Sequence, residues 1–405
     1  TRDNLVDIRL DTTGVARYDR KEDAIYMPKR ENYEHYNDYV NALVSQIVAS
    51  TGHMQRLNRE GMNNRGGKAP SEDAQKQELL VREIATAAKM QEMGLPAKLS
   101  EEGMKNILFA ASECVPFIKT GGLADVCGAL PKAFNKNEWD VRVVIPNYSC
   151  IPEHWRNQFE YVTHFYMGSG TYIQSKYVGV LQYKLDGITY YFVDNEDYFK
   201  RDGLYGYGDD AERFSFFSRA VLNLLPLLDF FPDVINSNDW HAALVNVLLK
   251  LEHQGDERYE NIKTVFSIHN LKYQGVFDKN VMDDVLGLDW KYFNNGDLEF
   301  NDSVNFMKGG IVYADVVATV SRTYAQEIQY PYFGEQLDGL LRTRGENIVG
   351  IVNGIDYDVY NPETDPNLFV NYTADTIGKK ADNKEKLQEQ LGLPVDRRIP
   401  LIGLV

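Results

Sequence analysis

The chain has 405 residues, with 43 Lys+Arg against 59 Asp+Glu and a formal net charge of −16. That acidic balance argues against a nucleic acid or an anionic membrane as partner, since a surface of phosphates is normally met by a basic one. A 43% hydrophobic and 25% charged composition is that of a soluble globular protein long enough for two or three domains, and no apolar run approaches the roughly 18 residues of a membrane span.

The charge is unevenly placed. Residues 1–100 hold 15 Lys+Arg and 15 Asp+Glu, so the whole excess belongs to residues 101–405. The break coincides with "EEGMKNILFAASE", where Gly103-Met104-Lys105 has the look of a natural start. The boundaries expected are therefore 1–100, 104–395 and 396–405. The opening "TRDNLVDIRLDTTG" lacks the pattern of a secretory leader. Cys114, Cys127 and Cys150 are an odd set without metal-like spacing, which predicts buried thiols in a reducing compartment and a cytoplasmic location. The stretch "MNNRGGKAPSEDAQKQE" (62–78) reads as a flexible connection.

From Lys105 onward, β-rich runs alternate with helical patterns. "NILFAA" (106–111) is followed by "LADVCGALPKAF", whose Leu123, Val126, Leu130 and Phe134 recur at helical spacing, and then by "DVRVVIP" (140–146). The rhythm continues through "ITYYFVDN" (188–195), a helix over 209–228, "PDVINSND" (232–239), a helix from Trp240 to about His253, and "KTVFSIHN" (263–270). A helix near 303–314, "DVVATVS" (315–321) and "NIVGIVNG" (347–354) complete it. Strands bounded by helices in this way predict an α/β fold with a doubly wound, Rossmann-like parallel sheet. The ending "PLIGLV" resembles the first strand of another domain, cut off as it begins.

Such sheets bind ligands at the carboxyl ends of their strands, and the unusual polar residues fall there. Lys119 follows the first strand, Asp239 and His241 the run "DVINSN", His269 and Asn270 close "TVFSIHN", and Ser321 closes "VVATVS". In "FIKTGGLADV" the pair Gly121-Gly122 allows close backbone approach, and a helix beginning near Leu123 offers amides that suit a phosphate; a tight strand-to-helix turn is the plainer alternative. The pattern is neither G-x-G-x-x-G nor a Walker loop, which speaks against nicotinamide cofactors and ATP hydrolysis.

Five ordered stretches, "KTGGLADVCGALPKAF", "NSNDWHAAL", "FSIHNLKYQG", "NFMKGGIVYADVVATVS" and "GIVNGIDYDVYNPETD", resemble the N-terminal half of bacterial glycogen synthases and plant starch synthases. The resemblance covers about Lys105 to Val405. It implies the first domain of a two-Rossmann-domain (GT-B) glycosyltransferase that moves glucose, with retention, from ADP-glucose to the non-reducing 4-hydroxyl of an α-1,4-glucan. It implies no metal and no cofactor, the nucleotide sugar being a substrate. Lys119, Gly121, Gly122, Asp125 and Asn270 are then expected on the donor, and His269, Asp239 and Lys119 at the chemistry. Tyr205, Tyr207 and Lys308 are expected at the acceptor, with Asn353 and Asp356 fixing the interdomain connection. A non-catalytic glucan-binding or scaffold protein is the alternative, because the donor-side domain is not within these residues; on that ground the 405-residue chain alone is expected to be inactive.

Residues 1–100 resemble the zincin-like domain of ArdC-type antirestriction proteins. Where that pattern has His-Glu-x-x-His, this chain has Ser45, Gln46 and Ala49, and Glu83 alone cannot hold zinc. The segment is expected to be mainly helical and metal-free, with His53 structural.

Overall fold

Three short strands near the N-terminus pair into a small sheet. The computed structural model describes residues 7–10, 16–19, 22–33, 36–50, 85–86, 105–136 and 138–403. Strands β1 (Asp7–Leu10), β2 (Arg17–Asp19) and β3 (Ala24–Met27) have the order β1-β3-β2, with β1 parallel and β2 antiparallel to β3. Helix α1 (Tyr36–Ser50) follows and buries Val40, Val44 and Val48, spaced four apart on one face. This sheet is absent from the mainly helical expectation, because strands of three and four residues leave almost no periodicity to read. Ser45 and Gln46 lie on α1, whereas His53, Glu83 and the 62–78 connection fall outside the described residues.

The central sheet is built from β4 (Lys105–Ala110), β5 (Trp139–Pro146), β6 (Glu160–Ser169), β7 (Ile173–Leu185), β8 (Ile188–Asp194), β9 (Val234–Asn238) and β10 (Lys263–Ile268). A separate three-stranded antiparallel sheet, β11 (Val276–Asp278), β12 (Glu299–Phe300) and β13 (Ser303–Asn305), interrupts the series. Strands β14 (Val316–Thr319) and β15 (Ile348–Gly350) then complete the order β15-β14-β10-β9-β4-β5-β8-β7-β6. The strands from β15 to β8 are all parallel, and β7 and β6 extend one edge as an antiparallel hairpin. From β4 the chain steps outward through β5 to β8, then returns to β9 and steps outward the other way. The sheet is thus doubly wound, with its reversal between β4 and β9.

Helix α2 (Gly122–Ala133) connects β4 to β5, α3 (Asp210–Asn223) precedes β9, and α4 (Asp239–Glu252) joins β9 to β10. Helices α5 (Phe306–Tyr313) and α6 (Arg322–Glu327) flank β14. Phe214, Phe216, Phe217, Val221 and Leu222 of α3 are all buried, with Arg213, Ser215, Ser218 and Arg219 buried beside them. On α2 the buried face is Leu123, Ala124, Cys127, Gly128 and Pro131, so the expected Val126 and Leu130 stand at its margin, only partly buried. Cys114 and Cys127 are buried free thiols and Cys150 is half-buried.

Residues Ile355–Val405 form a compact unit distinct from Thr1–Gly354. Within it α7 (Lys380–Gln390) is braced by Arg397, whose guanidinium meets Asp382 and Glu385. Residues 401–403 of "PLIGLV" are in no strand; a strand exists only with a paired neighbour. Among the described residues no helix is long and apolar enough to cross a membrane.

Candidate active site

Ligands of open α/β sheets bind outside the carboxyl ends of the strands where the strand order reverses. Here that place is bounded by the segments leaving β4, β9 and β10. After β4, the carboxylate of the buried Glu113 accepts from the backbone amide and the hydroxyl of Thr120, the latter at 2.9 Å, and from the amide of Gly121. Burial nevertheless pushes the Glu113 carboxyl above its ordinary range. Glu113 therefore shapes the Lys-Thr-Gly-Gly loop from beneath.

Gly121 caps α2 with extended backbone, and the helix begins at Gly122. A Cβ at Gly122 would meet nothing within 4 Å, and one at Gly121 would meet only Glu113 Oε1 at 3.9 Å. Open space thus lies against the first turn of a 12-residue helix, whose leading amides have no partners within the helix. Lys119 Nζ sits 2.8 and 2.7 Å from the two oxygens of Asp125, so these two expected donor contacts face each other.

At the end of β9, Asp239 adopts φ +52°, a left-handed conformation that Asp tolerates better than most residues. This elbow lets its Oδ1 accept from the amides of His269 at 2.8 Å and Asn270 at 3.4 Å. Burial pushes the Asp239 carboxyl up to about 7; the two amides oppose this and the charge of Glu113 adds to it. His269 Nε2 lies 2.9 Å from Asn238 Oδ1, and its Nδ1 is buried without a hydrogen-bond partner. Burial pushes the imidazole down to about 4, so it is neutral at pH 7.

The loop carrying the two candidate tyrosines is fixed by the buried Arg213, which donates to Tyr198 O, Leu204 O and Asp210. Asp210 in turn accepts from the amides of Gly206 at 2.6 Å and Tyr207 at 3.1 Å. Gly206 stands at φ +96°, where a side chain would be strained. The frame presents Tyr205 with its hydroxyl on Thr120 Oγ1 and its ring 4.8 Å from that of His241. His241 is stacked on Trp240 at 3.9 Å and edged by Phe214, and neither ring nitrogen has a hydrogen-bond partner. Burial pushes it down to about 3.

The structure therefore gathers the Lys119 loop, Tyr205, Asp239, His269 and Asn270 into one set of two hydrogen-bonded clusters, Glu113–Thr120–Tyr205 and Asn238–Asp239–His269–Asn270, coupled through the charges of Glu113 and Asp239. Tyr207 and Lys308 are engaged elsewhere. The Tyr207 hydroxyl accepts from Gly203 N at 2.9 Å while its ring faces Arg201 and Arg213, and Lys308 Nζ donates to Glu299 O at 2.6 Å. Ser321 caps α6. Three residues of the set are absent from the sequence reading: Glu113, Thr120 and Asn238. A carboxylate inside the apolar "FAASECVPF" was the available signal for the first.

Residues 106–343 match the family profile of the starch synthase catalytic domain, and residues 2–105 that of zincin-like metallopeptidases. A glycogen synthase of Desulforamulus reducens is 52% identical over 299 residues, 74% of this chain and 62% of that protein. Another, from Clostridium acetobutylicum, is 53% identical over 300 residues with the same shares. The catalytic domain of starch synthase IV from Arabidopsis thaliana, solved with ADP and acarbose, is 32% identical with a TM-score of 0.64, over 74% of this chain and 62% of that one. The chain thus spans about 62% of the length of the curated relatives it matches.

Proposed function

Because this chain belongs to the starch synthase catalytic domain family, we propose that it serves the retaining transfer of glucose from ADP-glucose to the non-reducing 4-hydroxyl of an α-1,4-glucan. The observation that carries this reading is the open space at Gly122, against the start of α2 and at the reversal of the sheet. In this reading the diphosphate takes that space. The amides of the first turn and Lys119 offset the charge gained by the departing nucleotide, as fixed donors do best in a site prepared before the reaction. Lys119 has to exchange Asp125 for phosphate oxygens.

His269 and Asp239 then flank the sugar. A neutral His269 adds no positive charge beside an anomeric centre that is itself becoming positive. Asp239, near the midpoint of its titration at pH 7, can donate to a hydroxyl when protonated and accept when ionised. Tyr205 supplies a half-exposed ring whose face suits the C–H side of a glucose unit. Residues 1–100 are read as a metal-free segment apart from 104–395.

Transfer of radiolabel from ADP-glucose to glycogen tests the reading, using the 405-residue polypeptide and the same polypeptide joined to the C-terminal third of a glycogen synthase relative. Label released by α-1,4-specific digestion supports it. No incorporation by either protein, with retained binding of maltoheptaose, favours a non-catalytic glucan binder.

A further inference from the structure

We infer that Asn238 is a positioning residue that holds His269 in the tautomer protonated at Nε2, leaving Nδ1 as a bare acceptor. The inference rests on the reading of His269 as part of a transfer site, but its geometry stands apart from that reading. Asn238 is the last residue of β9 and 1% exposed. Its side-chain amide can be placed in only one of two ways, with nitrogen and oxygen exchanged. The Nδ2 end faces Ala110 O at 3.2 Å, Asn236 O at 3.1 Å and Asn236 Oδ1 at 2.8 Å.

Two of those three are backbone carbonyls, which accept and never donate. Exchanging the ends of the Asn238 amide would aim an oxygen at both carbonyls, burying repulsion where water cannot relieve it. Oδ1 must therefore be the atom 2.9 Å from His269 Nε2. An amide oxygen only accepts, so Nε2 carries the hydrogen. In a neutral imidazole the other nitrogen then has none.

Further contacts brace the pair. Asn236 Oδ1 also faces Ser267 Oγ at 3.2 Å, tying the asparagines of β9 to β10, and the amide of His269 is held by Asp239. The backbone and the far edge of the ring are both fixed, so Nδ1 has a set position as well as a set chemistry. It can take a hydrogen bond from a hydroxyl but cannot give one. An Nδ1–H, by contrast, would turn a positive edge outward.

Nitrogen-15 spectra of the full chain labelled in histidine test this directly, with the His269 signals assigned through His269→Gln. The expected wild-type spectrum at pH 7 has His269 in one neutral form, pyrrole-type at Nε2 and pyridine-type at Nδ1. In Asn238→Ala the two shifts should converge toward a tautomer mixture. A wild-type His269 protonated at Nδ1, or an Asn238→Ala spectrum equal to wild type, overturns the proposal. If Asn238→Ala does not fold, the wild-type spectrum decides. In the extended protein, Asn238→Ala should lower kcat at least about tenfold with KM for the nucleotide sugar within about twofold. Complete absence of transfer in the unaltered extended protein counts against the transferase reading alone and leaves the tautomer result standing.

Discussion

The amide of His269 donates to Asp239 Oδ1 across 2.8 Å, so the end of β10 is held by a carboxylate that itself stands in a left-handed backbone conformation at the end of β9. One residue thus fixes the spacing of two neighbouring strand ends. The position is costly for a charged group, because burial outweighs the two amide donors and pushes the carboxyl up to about 7.

A pH dependence of stability follows. The folded-state value near 7 lies above the ordinary Asp value of about 3.9, so the folded chain binds the proton more tightly than the unfolded one. The associated stability is full below about pH 4 and is lost as pH rises through about 7. Asp239→Asn keeps an acceptor oxygen for both amides and removes the charge. It should be more stable than wild type at pH 8 by roughly 2–4 kcal/mol, with the advantage shrinking toward pH 4. Urea titrations at the two pH values check this; an equal difference at both would refute the shifted titration.

Lys119 and Asp125 form an exposed pair beside the start of α2. Exposed pairs contribute little to stability, so Lys119→Ala should leave the melting temperature within a degree or two. In the extended enzyme its kcat/KM for ADP-glucose should fall roughly a hundredfold, the scale of removing one fixed donor to developing charge. His269→Ala should act similarly on rate. Near-normal transfer by both variants would place the chemistry elsewhere.

How much of this was legible in the sequence depends on the distance over which each feature is decided. The strands β4, β10 and β14 are mostly buried and appear as short apolar runs, and β9 begins as one before turning polar at Asn236. The β6–β7 hairpin was not read, since Tyr161, Tyr166 and Tyr177 put aromatic residues on its exposed face and two register shifts break the alternation. The helix α2 was legible, but which of its residues face inward is set by packing. A Cβ on Gly128 would lie 2.3 Å from Val115, so close approach selects small residues there, and hydrophobicity alone favours the larger Val126 and Leu130.

The site divides in the same way. Lys119, Asp239 and His269 are visible as polar residues at strand ends. Asn238 is not, because its role depends on β9 lying beside β10 in the register that pairs it with Ser267. Tyr205 and Tyr207 are equivalent in "GLYGYGDD", and only the loop frame built by Arg213 and Asp210 separates them, sending one ring to Thr120 and the other between two guanidinium groups.

The N-terminal segment carries a chemical prediction. Zinc sites of the zincin pattern need two histidines one helical turn apart with a glutamate beside the first. On α1 those positions are Ser45, Gln46 and Ala49, none of which coordinates zinc strongly. Metal analysis after dialysis against micromolar zinc should give well under one equivalent per chain. A stoichiometric zinc lost in His53→Ala or Glu83→Ala would reverse the reading.

His241 offers the sharpest separation of stability from function. It is buried against Trp240, Phe214 and Tyr205, with both ring nitrogens lacking partners. A neutral imidazole has one N–H, and leaving it and the opposite lone pair unsatisfied in an apolar setting costs about 1–3 kcal/mol. Its value of about 3 also means that the unfolded chain takes up a proton below roughly pH 6.5 while the folded one does not, so this residue destabilises further as pH falls. Phe has nearly the shape of the ring and no polar atoms. His241→Phe should therefore raise the urea midpoint at pH 7 and raise it more at pH 5. If a glucan hydroxyl is the missing partner of one nitrogen, the same variant should weaken maltoheptaose binding by roughly tenfold, the loss expected for one hydrogen bond in a site that excludes water. A stabilised variant with unchanged oligosaccharide affinity would mark His241 as core packing only. A destabilised variant would mean that the nitrogens have partners in solution and that the premise is wrong.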